Sequence, residues 1–213
     1  MKIKLCGIKR PEDIGYMNEF RPDYIGFVFA GTRRRIAPET AAELAEKLKP
    51  GIGKVGVFVD EPPGAVEYAV RIAGLGAVQL HGSENAEYIA EIRAILPGVE
   101  IWKAVRVKKP EDVTAAMELP ADRFLLDGFS PGQAGGTGIP ANLEAVEAAA
   151  PQRPYFLAGG LNCGNIERIV RRMRPFGVDL SSGIETDGRK DQKKIETIMA
   201  LLRNTEKRGK AGN

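Results

Sequence analysis

Cysteine, histidine and tryptophan are scarce in this chain: two, one and one among 213 residues. Two cysteines, Cys6 and Cys163, are too few for a disulfide framework, and a reduced cytosolic setting is the simpler expectation. With His81 the only histidine and no C-x-x-C pair, nothing has metal-ligand spacing, so no metal is expected. No segment approaches the roughly 20 apolar residues of a membrane span, and Met1-Lys2-Ile3-Lys4-Leu5-Cys6 lacks the apolar run of a signal peptide. These absences predict a soluble, cytoplasmic protein. An excess of charge of one sign is also missing. The 31 basic and 28 acidic side chains leave a net charge of +3, too balanced to predict a nucleic-acid partner, though compatible with a small anionic ligand.

What is present is alternation. Short apolar runs at 3–6, 23–29, 54–59, 77–80, 101–107, 123–127, 155–158 and 178–180 predict eight strands. Each leads to a helical pattern: from Pro11 to Phe20, from Pro38, from Pro62-Pro63, from the Ser83-Glu84-Asn85 cap to Leu96, from Pro110 to Leu119, and then over 143–150, 165–173 and 192–202. Strand-helix alternation requires a parallel sheet with right-handed crossovers. Eight units in 213 residues leave about 27 each, enough for a compact (β/α)8 barrel. The dinucleotide fingerprint of a doubly wound sheet is absent after strand one, which favours closure. The expected organisation is one α/β barrel domain over 1–205, with a frayed polar tail at 206–213.

In a barrel the loops after the strands share one face, so strand ends supply the candidates. The stretches Phe156-Leu157-Ala158-Gly159-Gly160 and Val178-Asp179-Leu180-Ser181-Ser182-Gly183 each read as a strand running into small residues and a helix. Together they predict an anion cup of backbone N–H groups and serine hydroxyls after strands seven and eight. Cys6 closes strand one and is either a small buried filler or a base or nucleophile. Asp127 ends strand six before a loop, 128–138, with five glycines; a helix about a dozen residues further on is too distant to cap, which favours a general acid or base. Of Arg33, Arg34 and Arg35, one or two should point inward to hold a carboxylate or phosphate. His81 serves either a structural hydrogen bond or the site, and Asp179, inside a strand, needs a donor partner from the protein or a ligand.

Taken in order, Lys4-Leu5-Cys6-Gly7-Ile8, Gly26-Phe27-Val28-Phe29, Val55-Gly56-Val57-Phe58-Val59, Val78-Gln79-Leu80-His81-Gly82, Leu126-Asp127, Gly135-Gly136-Thr137-Gly138, Leu157-Ala158-Gly159-Gly160-Leu161 and Val178-Asp179-Leu180-Ser181-Ser182-Gly183-Ile184-Glu185 resemble the phosphoribosylanthranilate isomerase family. The resemblance spans nearly the whole chain. It implies a cofactor-free enzyme of tryptophan biosynthesis that performs an Amadori rearrangement of N-(5-phosphoribosyl)anthranilate, as a monomer or homodimer with a small phosphorylated substrate. It further implies Asp127 as general acid, Cys6 as general base, Arg34, His81 and Asp179 around the anthranilate end, and Gly136, Gly159, Gly160, Ser181, Ser182 and Gly183 around the phosphate. Two departures stand out: Thr32-Arg33 precedes Arg34 in place of Ser-Pro or Ser-Ser, and Ile139-Pro140-Ala141-Asn142-Leu143 follows Gly138 in place of an aromatic-Asp-Trp segment. The alternatives are a phosphoribosyl isomerase of histidine biosynthesis, disfavoured because strand one ends in Cys6 rather than aspartate, and a non-catalytic anion-binding protein.

Overall fold

A computed structural model describes residues 1–31, 33–128 and 143–211, with side chains as far as residue 205. Eight strands, β1 (Lys2–Cys6), β2 (Tyr24–Val28), β3 (Gly53–Phe58), β4 (Ala77–Leu80), β5 (Glu100–Arg106), β6 (Arg123–Asp127), β7 (Tyr155–Ala158) and β8 (Gly177–Leu180), pair in sequence order into a closed barrel. All pairs are parallel, and the seam is β1 on β8, with Lys4 opposite Asp179. Each strand is followed by a helix: α1 (Pro11–Phe20), α2 (Pro38–Glu46), α3 (Pro63–Ala73), α4 (Ala86–Ile95), α5 (Pro110–Met117), α6 (Leu143–Ala149), α7 (Ile166–Met173) and α8 (Gln192–Ala211). The expected (β/α)8 architecture is what the chain adopts.

Local chemistry sets the boundaries. Pro11, Pro38, Pro63 and Pro110 occupy first-turn positions, where the missing N–H costs no helical hydrogen bond. Asn85 caps α4 by accepting from Tyr88 N at 3.0 Å. Glu84, expected within the same cap, instead accepts from Lys103 Nζ at 2.7 Å and from the amides of Asp60 and Gly82. The backbone of α8 stays helical to Ala211, because Ala, Leu, Arg, Glu and Lys dominate 200–211 and all favour the helix.

One departure reshapes the face that carries the candidates. The stretch after β8 does not run directly into an α-helix. Ser182–Ile184 forms a single 3-10 turn, and a two-stranded antiparallel hairpin, β9 (Glu185–Thr186) and β10 (Arg189–Lys190), precedes α8. Its turn residues, Asp187 and Gly188, have φ of 50° and 74°, the left-handed pair that a tight two-residue hairpin requires.

The strand period of two divides the core. Outward residues such as Leu5, Phe27, Phe58, Val78, Phe124, Leu126 and Val178 pack beneath the helices. Inward residues Val55, Ala77, Trp102, Ala104, Leu125, Phe156 and Ala158 fill the barrel itself, with Trp102 stacked on Phe156 at 4.8 Å between centroids. Burial of a side chain such as Phe156 contributes roughly 1.5–3 kcal/mol, so the lower barrel is a solid plug and only the upper layer is open to a ligand. Among the described residues no helix is long and apolar enough to cross a membrane.

Candidate active site

The period that sends Ala104 and Leu125 inward also sends the last residues of their strands into the barrel mouth. A cleft of about 460 Å³ opens there, lined by Cys6 from β1, Arg33 and Arg34 from the loop after β2, His81 following β4, Asp127 from β6, and Asp179, Ser181 and Ser182 from β8 and beyond. Gly159 and Gly160 complete its rim after β7. Thus Cys6, Asp127, Arg34, His81, Asp179, Gly159, Gly160, Ser181 and Ser182 meet in one place. Gly136 lies outside the described residues. No group of three or more His, Cys, Asp or Glu side chains suited to a metal ion occurs among the described residues.

The arginine loop divides. Arg33 and Arg34 turn to the cleft, while Arg35, fixed by a bridge to Val28, lines a separate hollow beside α2 and α3. Arg34 is held by Glu185 through two parallel bonds, Nε to Oε1 and Nη2 to Oε2, both 2.8 Å. Arg33 Nη2 reaches the same carboxylate at 2.7 Å, and Lys190 Nζ at 2.8 Å. Burial alone would raise the Glu185 carboxyl, but the bonds from Arg34 and Lys190 outweigh it and lower it to about 2. Lys190, 5% exposed, is also lowered, but for the opposite reason: burial outweighs the pull of Glu185 and brings its ammonium below the ordinary lysine range.

Asp179 finds its donor inside the protein. Lys4, fully buried two residues before Cys6 on the same inward face, gives Nζ to Asp179 Oδ1 at 3.0 Å. Burial opposes the Lys4 charge, yet Asp179 and the Cys6 sulfur outweigh that opposition and hold the ammonium above the ordinary lysine value. For Cys6 burial is the largest influence and pushes the thiol up; Lys4 acts against it. Across the mouth, His81 Nε2 stands 3.9 Å from Asp127 Oδ2 and makes no hydrogen bond among the described residues. Burial pulls the imidazole below its ordinary value although Asp127 and Asp179 oppose this, so His81 is neutral near pH 7. Gln79, on the cleft floor and 1% exposed, leaves Oε1 without a partner.

The two small-residue loops form one rim. Gly159 and Gly160 have φ of 94° and 64°, conformations that residues with a side chain resist. The loop behind them is pinned by Asn162 and Asn165, whose side-chain amides both donate to Gly160 O at 3.0 and 2.9 Å. Ser181 Oγ donates to Cys6 O at 3.2 Å, tying the β8 end to the β1 end. Gly183 lies just behind the rim, where an added Cβ would overlap the Leu161 carbonyl oxygen, so only glycine lets the loops after β7 and β8 approach this closely. Gly183→Ala is therefore expected to cost roughly 1–3 kcal/mol by overpacking and to weaken inhibition by inorganic phosphate at least severalfold. Thermal denaturation and a phosphate titration check this, and wild-type values in both would show that the rim adapts.

Four residues of the site escaped the reading of strand ends. Lys4 was hidden by its position in mid-strand, although its i, i+2 relation to Cys6 places both on one face. Glu185 and Lys190 belong to the hairpin, for which Asp187-Gly188 was the available signal. Arg106, opposite Asp127 in the β5–β6 register, has the inward parity and is exposed at the mouth.

Comparison with known proteins agrees with this architecture. A family model described as N-(5'-phosphoribosyl)anthranilate (PRA) isomerase matches residues 3–200. The N-(5'-phosphoribosyl)anthranilate isomerase of Acetivibrio thermocellus is 42% identical over 210 residues, covering 96% of each chain. That of Thermoanaerobacter sp. is 41% identical over 206 residues, 95% of this chain and 98% of its own. Among solved structures, the phosphoribosyl anthranilate isomerase of Thermotoga maritima superimposes with a TM-score of 0.83 at 33% identity, covering 96% of this chain and 99% of that one. Another, solved with reduced 1-(o-carboxyphenylamino)-1-deoxyribulose 5-phosphate, gives a TM-score of 0.80 at 32% identity over the same shares. On the matched family model, the relatives' identity and the near-complete coverage, this chain belongs to the phosphoribosylanthranilate isomerase family.

Proposed function

We propose that this isomerase uses Asp127 as acid and Cys6 as base to convert N-(5-phosphoribosyl)anthranilate into 1-(2-carboxyphenylamino)-1-deoxyribulose 5-phosphate, a step of tryptophan biosynthesis. The observation that carries the assignment is the convergence of a carboxylate and a thiol on one cleft whose rim, Gly159, Gly160, Ser181 and Ser182, suits a phosphate. Asp127 protonates the furanose ring oxygen, the C1–O bond breaks, and the anthranilate nitrogen pair forms a C=N bond. Cys6, as thiolate, removes the C2 proton; the C2–H pair forms C1=C2 and the C=N pair returns to nitrogen. Protonation at C1 and loss of the C2 hydroxyl proton give the ketone. Atoms and electrons balance within the substrate, so the step needs no redox partner.

Electrostatics supports the binding roles. Arg34 spends Nε and Nη2 on Glu185 and retains Nη1 for the anthranilate carboxylate. Asp179 accepts from the anthranilate N–H, and His81, neutral, lines the ring. Gln79 Oε1 is an acceptor for a sugar hydroxyl. Turnover of phosphoribosylanthranilate, generated in place and followed by loss of its fluorescence without added metal or cofactor, tests the reading; a folded protein with no turnover would overturn it. Arg34→Ala should raise KM about tenfold or more with kcat changed less. An unchanged KM would transfer the role to Arg33, the other arginine in the cleft.

A further inference from the structure

The reaction just outlined has no use for the Lys4 ammonium, yet the barrel holds it with no exposure to solvent. A buried cation needs a partner, and an apolar side chain would fill the same interior without that requirement. Lys4 Nζ lies 3.0 Å from Asp179 Oδ1, and Lys4 shares the inward face of β1 with Cys6, two residues further on, so that its charge acts on the sulfur; both Asp179 and Cys6 belong to the cleft. The other charges facing Cys6 are differently occupied. Lys190 from β10 and Arg34 from the loop after β2 are both bonded to Glu185, while His81 and Asp127 stand across the mouth from each other at 3.9 Å. Lys4 alone shares its charge between the sulfur and a residue that the proposed reaction turns toward the substrate. An ammonium beside a sulfur favours thiolate over thiol, and one released by its carboxylate does so more strongly.

We propose that Lys4 is a positioning residue for the proton transfer: its ammonium is the counter-charge that lets Cys6 act as a base, and Asp179 controls how much of that charge the sulfur receives. The inference rests on Cys6 being the base. When Asp179 engages the anthranilate N–H, Lys4 is left to the sulfur, so substrate capture and activation of the base are coupled through one buried ion pair.

The test is the pH dependence of Cys6 alkylation by iodoacetamide, read by mass spectrometry in a Cys163→Ser background, beside pH profiles of kcat and kcat/KM. Lys4→Met is expected to raise the alkylation midpoint by at least one pH unit, to move the acid limb of kcat/KM with it, and to lower kcat at least tenfold while KM changes less than threefold. Lys4→Arg, which keeps the charge, should shift the midpoint less. Asp179→Asn is expected to lower the midpoint, because the sulfur loses a nearby negative charge and Lys4 then serves it alone, and to lower it less when combined with Lys4→Met. An unchanged midpoint in folded Lys4→Met overturns the inference. Should that variant not fold, Lys4→Gln decides by the same reading: a raised midpoint supports the inference and an unchanged one overturns it. Wild-type turnover by Cys6→Ala would instead sink the assignment of the base while leaving the alkylation result intact, so the two failures are separable.

Discussion

Asp127→Ala and Cys6→Ala are each expected to lower kcat by roughly 10²–10⁴-fold, the usual contribution of a positioned acid or base, with KM changed only severalfold. Neither side chain carries the packing of its strand. On β6 that falls to Phe124, Leu125 and Leu126, all fully buried, while Asp127 sits at the mouth. On β1 it falls to Leu5, and Cys6→Ala removes one sulfur. In the proposed mechanism the two groups act on successive steps, ring opening and C2 deprotonation. In the double variant the delays therefore add as times, and kcat should fall close to the slower single variant rather than to the product of the two losses. A multiplicative loss would place both groups on one barrier and reject the two-step division of labour. Near-normal turnover in either single variant would reject its role outright.

Glu185→Ala should produce the largest loss of stability. The carboxylate is 8% exposed and receives Arg33, Arg34 and Lys190, and of these Lys190 is itself 5% exposed. Removing it leaves Lys190 Nζ with the Ser181 carbonyl alone, at 3.2 Å, in a site where an unbalanced charge is costly. Breaking such a pair costs about 3–5 kcal/mol, which for a chain of this size is a fall in Tm of roughly 6–20 °C. Arg34 is released at the same time, so KM should rise as well. The pH dependence gives a second reading. Glu185 is lowered from 4.5 to about 2 in the folded protein. Its stabilisation is therefore complete above the unfolded value and is lost as pH falls toward 2. Glu185→Gln cannot titrate, so the gap in Tm between it and the wild type should narrow between about pH 5 and pH 2. A constant gap across that range would show that charge is not what the network uses.

Where sequence and structure agree, the cause is punctuation. β4, β6 and β7 begin and end where they were read, because each is a short apolar run between turn-forming residues and is buried on both faces. The cleft followed from the same reading, since strand ends share one face in a closed barrel. Hairpin β9–β10 was missed because two-residue strands carry no period to detect, and the apolar-free Arg189-Lys190 gives no hint of burial. The Lys4–Asp179 pair was half legible: each residue was a polar group in a strand, but their meeting depends on a seam joining positions 175 residues apart. The split of Arg33 and Arg34 from Arg35 was illegible for a related reason. Nothing local distinguishes three adjacent guanidinium groups until Glu185 arrives from the far end of the chain.

The β1–β8 seam also orders biosynthesis. Emerging from the ribosome, the nascent chain exposes the Cys6 strand first and completes its partner strand only near the end, so until then the sheet has two open edges and an unneutralised Lys4. A chain that stops before β8 can neither close this hydrogen-bond ladder nor give Lys4 its Asp179 carboxylate.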